Sequence, residues 1–143
     1  MNAPSLPRLL LNGFQWFDDA LRQSLAEQGL PKFTHSQSLV MSSLKSEGIS
    51  ISELARRLEM TRQGAQKSVA GLEMDGLVYS EVDPANSSAK IVRLTKLGFQ
   101  TIEKAQEIFK ALEVELAARI GEKRLAALRD ALGQNWSDPP TVY

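Results

Sequence analysis

Arg62, Gln63, Gln66 and Lys67 fall within six consecutive residues directly after Thr61. Such side chains can read nucleic acid. An arginine fork matches the two acceptors on the major-groove edge of guanine, and a glutamine amide matches the donor and acceptor of adenine. A lysine suits a phosphate. Thr61 is a good N-cap, and the free backbone N–H groups behind a cap also suit a phosphate. On its own, this set equally describes the solvated face of any amphipathic helix. The surrounding elements must decide.

Those elements follow from periodicity. Leu6, Leu10, Phe14, Phe17, Leu21 and Leu25 recur at steps of three and four, which predicts a helix over about 5–28, capped by Ser5 and stopped by Gly29 and Pro31. Thr34–Gln37 and Ser50–Glu53 have the capping-box form and open two further helices. The first has Val40, Met41 and Leu44 as its core face and ends at Gly48. The second buries Ile51, Leu54, Ala55 and Leu58. After Glu59 and Met60, a helix from Arg62 to about Asp75 turns Ala65, Val69 and Leu72 inward, with Gly76 as its C-cap. That register leaves Arg62, Gln63, Gln66 and Lys67 outward.

The period then changes to two. Residues 77–82 and 90–94 read as strands, and 83–88 as the turn cluster of a hairpin with a tip of six or seven residues. A long helix over 96–119 carries Ile102, Ala105, Phe109, Leu112 and Leu116, close to a coiled-coil seam. Gly121 breaks it before a last helix, 122–135, with Leu125, Leu128 and Leu132. The fold class is mainly α with a small β-hairpin wing. Three helices and a hairpin, with a short turn between the second and third, make a winged helix-turn-helix whose later helix can enter a major groove about 12 Å wide.

Composition narrows the function. The 143 residues contain no cysteine and one histidine, His35. A disulfide framework, a Cys-built zinc site and a multi-His metal site are excluded. No phosphate-binding glycine loop appears, and the adjacent Asp18 and Asp19 point in different directions on a helix, so an enzyme is not expected, nor a cofactor or metal. No segment is long and apolar enough to span a bilayer, and no signal peptide is evident, so a cytoplasmic location is expected. The formal net charge is +0. Residues 31–97 hold nine basic and seven acidic side chains, a weak excess. Lys90 and Arg93, near the base of the hairpin, are expected to reach phosphate, which completes a DNA-binding set of Thr61, Arg62, Gln63, Gln66, Lys67, Lys90 and Arg93.

Across nearly the whole chain the sequence resembles the MarR family (multiple antibiotic resistance regulators). The resemblance rests on Phe33–Gln37, Ile51–Ala55, the run Thr61–Val78, Asp83-Pro84, and above all Lys90-Ile91-Val92-Arg93-Leu94-Thr95-Lys96-Leu97-Gly98. It implies a single domain over 1–143. Within it, 31–95 is the DNA-binding lobe, and 1–30 and 96–143 supply dimerisation helices. It also implies a homodimeric, ligand-responsive repressor on a pseudo-palindromic double-stranded DNA operator. The effector, a small aromatic or amphipathic molecule, would lie between the first, second and fifth helices, with Trp16, Phe17, His35 and Ser38 as candidate lining. Trp16 and Phe17 read equally well as dimer core, and His35 as a helix-start residue near phosphate. One departure stands out. The family's wing tip carries arginine, whereas Asn86-Ser87-Ser88 here are neutral and cannot exploit a narrow minor groove, so weaker or less A·T-sensitive binding is expected. The competing reading, a winged-helix module that binds protein with little DNA affinity of its own, draws on this tip and on the zero net charge.

Overall fold

A computed structural model describes residues 2–143. Its elements run α1 (Leu6–Glu27), α2 (His35–Ser43), β1 (Ile49–Ser50), α3 (Ile51–Arg57), α4 (Arg62–Met74), β2 (Val78–Asp83), β3 (Asn86–Leu94), α5 (Lys96–Ile120) and α6 (Glu122–Gly133). The chain divides into two compact units, 1–109 and 110–143.

In the first unit the caps set the helix starts. Thr34 Oγ1 accepts from Gln37 N at 3.1 Å and Gln37 Oε1 accepts from Thr34 N at 3.0 Å, a closed capping box. The box at Ser50 closes only halfway. Its hydroxyl accepts from Glu53 N, but the Glu53 carboxylate bonds Arg56 and Arg57 instead. Those guanidiniums hold the Glu53 carboxyl down at about 2. Helix ends are equally defined. Met60 N donates to Ala55 O at 2.9 Å and Glu59 N to Arg56 O, with Glu59 at a φ of 52°. This is a Schellman end, and here it forms the turn of the helix-turn-helix. A glutamate in the left-handed region costs about 1–2 kcal/mol, which the packing on either side must offset.

The core lies where α2, α3, α4 and the sheet meet. Val40, Leu54, Ala65, Leu72, Leu77 and Val92 are fully buried. The first turns of the α1 stripe are not: Leu21 and Leu25 are buried, while Leu6 and Phe14 are exposed, as is Leu9 beside them.

The sheet departs from expectation twice. It has three strands in the order β1-β3-β2, since Ile49 and Ser50 pair with Val92 and Ile91. The wing is also tighter than a six- or seven-residue tip. Asp83 pairs with Asn86, a register shift follows Val82, and only Pro84 and Ala85 remain between the strands. Side chains stabilise this end: Asp83 Oδ1 accepts from Ala85 N at 2.9 Å and Asn86 Oδ1 from Ser88 N at 3.1 Å. The second helix is shorter than its sequence suggests and stops at Ser43, before Gly48.

The start of α5 is fastened to the end of α4. Thr95 N donates to Leu77 O at 3.1 Å, Thr95 Oγ1 donates to Gly76 O at 2.6 Å, and Gly98 N donates to Thr95 Oγ1. Gly98 is required there because a Cβ would sit 2.1 Å from Leu77 O.

The second unit holds the end of α5, α6 and the tail. Glu113 and Arg129 pair within it, and Trp136 Nε1 donates to Ala131 O at 3.0 Å. No residue of α6 is buried, and Leu128, Leu132 and Trp136 are exposed. Among the described residues no helix is long and apolar enough to cross a membrane.

Candidate nucleic-acid interface

The α4 helix presents two chemically distinct faces. Ala65, Ser68, Val69 and Leu72 are buried against the lobe, while Arg62, Gln63, Gln66 and Lys67 are exposed. At its start, Thr61 Oγ1 accepts from Gly64 N at 2.9 Å. A Cβ at Gly64 would lie 3.0 Å from that hydroxyl, so the glycine lets the backbone approach its own cap closely. Farther along, a Cβ at Gly71 would meet the side-chain amide of Gln37, Nε2, at 2.5 Å, where α2 crosses α4.

A groove of about 340 Å³ runs beside this exposed face. Arg62 and Gln66 line one side, Ser50 and Ser52 an end, and Ser88 and Lys90 the wing side. Lys90 therefore shares a groove with the exposed face of α4. Glu73, bonded by the Ser80 hydroxyl, adds a negative charge to the lining.

Arg93 is placed differently. Side chains alternate along a strand, so Arg93 lies on the opposite face of β3 from Lys90 and Val92. Its Nη1 donates to Glu47 O at 2.9 Å, and its Nε pairs with the Glu81 carboxylate across the hairpin. These two bonds fix the guanidinium beside Glu47 and Glu81, so a phosphate contact would have to come from its remaining Nη donors. Of the expected DNA set, the structure brings together Thr61, Arg62, Gln63, Gln66, Lys67 and Lys90 and sets Arg93 apart. Ser52 and Ser88 are additional polar groups on the groove. Only spatial proximity reveals them, because each is an unremarkable serine in sequence.

The expected effector region is also occupied by a cavity, of about 430 Å³, between α1, α2 and the first turns of α5. Of the four residues suggested for it, Ser38 lines it, and Trp16, Phe17 and His35 do not. Trp16 and Phe17 stack edge-to-face at 5.0 Å, and Phe17 in turn meets Phe109. His35 stands edge-on to Phe14 and its Nδ1 lies 2.9 Å from Asp18 Oδ2.

Asp18 is the residue that the sequence reading missed. It is 5% exposed and accepts from Arg22 Nε at 3.0 Å and Ser38 Oγ at 2.8 Å as well as meeting His35. Burial pushes its carboxyl up, but these hydrogen bonds and the Arg22 charge outweigh it, and the group is held below the usual carboxylate range. Arg22 also reaches Asp19 and the Phe33 carbonyl. Arg22 is a local i,i+4 partner, but His35 and Ser38 lie 17 and 20 residues away on another helix, so no local pattern announces those two.

Against known proteins, residues 32–87 match the model of the MarR family. No curated protein matches by sequence. Among solved structures, MarR from E. coli in its apo form superposes with a TM-score of 0.76 at 22% identity, over 92% of this chain and 96% of that one. The transcriptional regulator PA4135 gives 0.71 at 27% identity, over 91% and 94%. A point mutant of S. aureus MepR bound to an oligodeoxyribonucleotide gives 0.62 at 20% identity, also over 91% and 94%.

Proposed function

We propose that the chain is a MarR-family, ligand-responsive transcriptional repressor that binds a pseudo-palindromic operator as a homodimer, a reading supported by the match of residues 32–87 to that family's model. The observation that carries the reading is the two-faced α4 helix. Four side chains able to read bases or phosphate are exposed on a helix whose other face is anchored in the core, and Lys90 extends that surface onto the wing. Arg62 and the two glutamines read base edges; Lys67 and Lys90 neutralise phosphate.

The dimer rests on apolar surface that a lone chain leaves uncovered. Leu6, Leu9 and Phe14 on α1 and Leu128, Leu132 and Trp136 at the chain's end are each more than 40% exposed. Six large apolar side chains in such positions fit an interface rather than scattered surface residues. A two-fold dimer would place two recognition helices roughly 34 Å apart, one DNA turn, which sets the half-site spacing. Repression and release follow if an effector favours the dimer geometry that does not fit DNA, because a ligand with equal affinity for both states shifts nothing.

Sedimentation equilibrium at micromolar concentration, together with mobility-shift selection of genomic fragments at low and moderate salt, tests this. The expected result is a dimer that enriches fragments with inverted half-sites. A monomer, or a dimer that shifts no fragment even at low salt, would contradict it, and the second outcome would favour a protein-binding winged helix with its bare tip.

A further inference from the structure

The geometry points to a ligand of defined charge for the cavity between α1, α2 and α5: a small amphiphile with an apolar body and a cationic head, which Asp18 receives at the cavity wall. This deepens the effector reading above and rests on it. The cavity holds about 430 Å³, within the range of small-molecule sites. Its walls are mostly apolar, with Leu21, Phe33, Met41 and Ile102 among them.

The charge argument is specific. Among the described residues no lysine or arginine lines the cavity, and its single ionisable wall residue is Asp18. Arg22 approaches Asp18 from outside, since it lines a separate surface groove with Asp19 and Lys32. That guanidinium is shared between two carboxylates, Asp18 and Asp19, so the three groups retain one net negative charge before His35 is counted. The Asp18 carboxyl is held in its ionised form. Its Oδ1 accepts from Ser38, itself a lining residue, and a carboxylate oxygen has room for a second donor. An anionic head would enter a poorly solvated space facing this charge with no cation to receive it, whereas an ammonium gains a charge-assisted hydrogen bond.

Calorimetric titration with three probes of one shape tests the inference: naphthylmethylammonium, naphthylmethanol and naphthoate. The ammonium is expected to bind wild-type protein at least about tenfold more tightly than naphthoate, about 1.4 kcal/mol. Asp18→Asn should abolish that preference. Ala105→Trp, which fills the cavity from α5, should weaken all three by at least about tenfold. Naphthoate binding as tightly as the ammonium, no binding of the ammonium, or unaltered binding to Ala105→Trp would overturn the site. The wild-type comparison decides even where Asp18→Asn fails to fold, which thermal unfolding reports. DNA release is measured separately. Selective ammonium binding that leaves the mobility shift unchanged would sustain the site and refute its role as an effector switch.

Discussion

Replacing Ser87 by arginine, near the wing's turn at the start of β3, turns the most unusual feature of this lobe into a measurable quantity. Ser87 is exposed, its neighbours Asn86 and Ser88 bond each other, and no cationic side chain stands between Asp83 and Lys90. An arginine placed there adds one cation to β3, two residues past the Pro84-Ala85 turn, where the proposed complex would bring the wing to a minor groove. Each neutralised phosphate changes the slope of log K against log salt by about −0.9. Two wings per dimer therefore steepen it by about 1.8. Between about 50 and about 200 mM salt, the variant should lose about twelvefold more affinity than the wild type does, while binding more tightly at the low-salt end. Fluorescence anisotropy with one labelled duplex at four salt concentrations measures this, with Ser87→Gln as the neutral control. An unchanged slope for Ser87→Arg would mean that the tip does not reach DNA, and the reasoning that assigns weak binding to it would fail.

The two basic residues of the wing should separate cleanly. Lys90→Ala is expected to weaken DNA binding with little change in stability, whereas Arg93→Ala should lower stability by about 0.5–1.5 kcal/mol, since it breaks the Glu81 pair and the Glu47 bond, and change DNA affinity by less than about threefold; denaturant titration beside anisotropy checks both. Asp18 should make a pH-dependent contribution. Its folded carboxyl lies below the unfolded value of 3.8, so its stabilisation is complete above that value and is lost as pH falls through the folded one. Asp18→Asn is expected to cost about 1–3 kcal/mol near neutral pH and to flatten the acid limb of the stability profile, and an unchanged limb would count against the buried network. Gly98→Ala should be destabilising by about 1–3 kcal/mol or more, seen as a lower Tm by calorimetry, because its methyl meets a backbone oxygen that cannot turn aside.

The parts of this fold legible in sequence were those fixed by neighbours in the chain. Thr34, Ser50 and Thr61 cap helices through atoms three residues away, and all three positions could be read directly. The outward register of Arg62, Gln63, Gln66 and Lys67 followed from Ala65, Val69 and Leu72 alone. What escaped depended on partners distant in sequence. The two-residue strand Ile49–Ser50 has no periodicity to detect and exists only because β3 lies beside it. The wing tip looked like a long loop because its polar residues are typical of loops, yet Asp83 and Asn86 use those side chains to tighten the turn. The sequence marks Arg93 as a cation near the wing base but not its bonds to Glu81 and the Glu47 carbonyl, which lie 12 and 46 residues away. Asp18 and Asp19 diverge as adjacent residues on a helix must, one entering the core and the other remaining at the surface, joined through Arg22; the bonds of Asp18 to His35 and Ser38 are what the sequence does not reveal.

The central claim is that α4 reads sequence. Anisotropy of wild type, Arg62→Ala and Lys67→Ala against the selected operator and against single-base-pair variants of it tests that claim most directly. Arg62→Ala should lose about 1–3 kcal/mol on the operator and no longer discriminate at one position in each half-site, while Lys67→Ala should weaken every duplex to a similar extent and reduce the salt slope by about 1 per subunit. Operator affinity and base preference left intact in both variants would contradict the account.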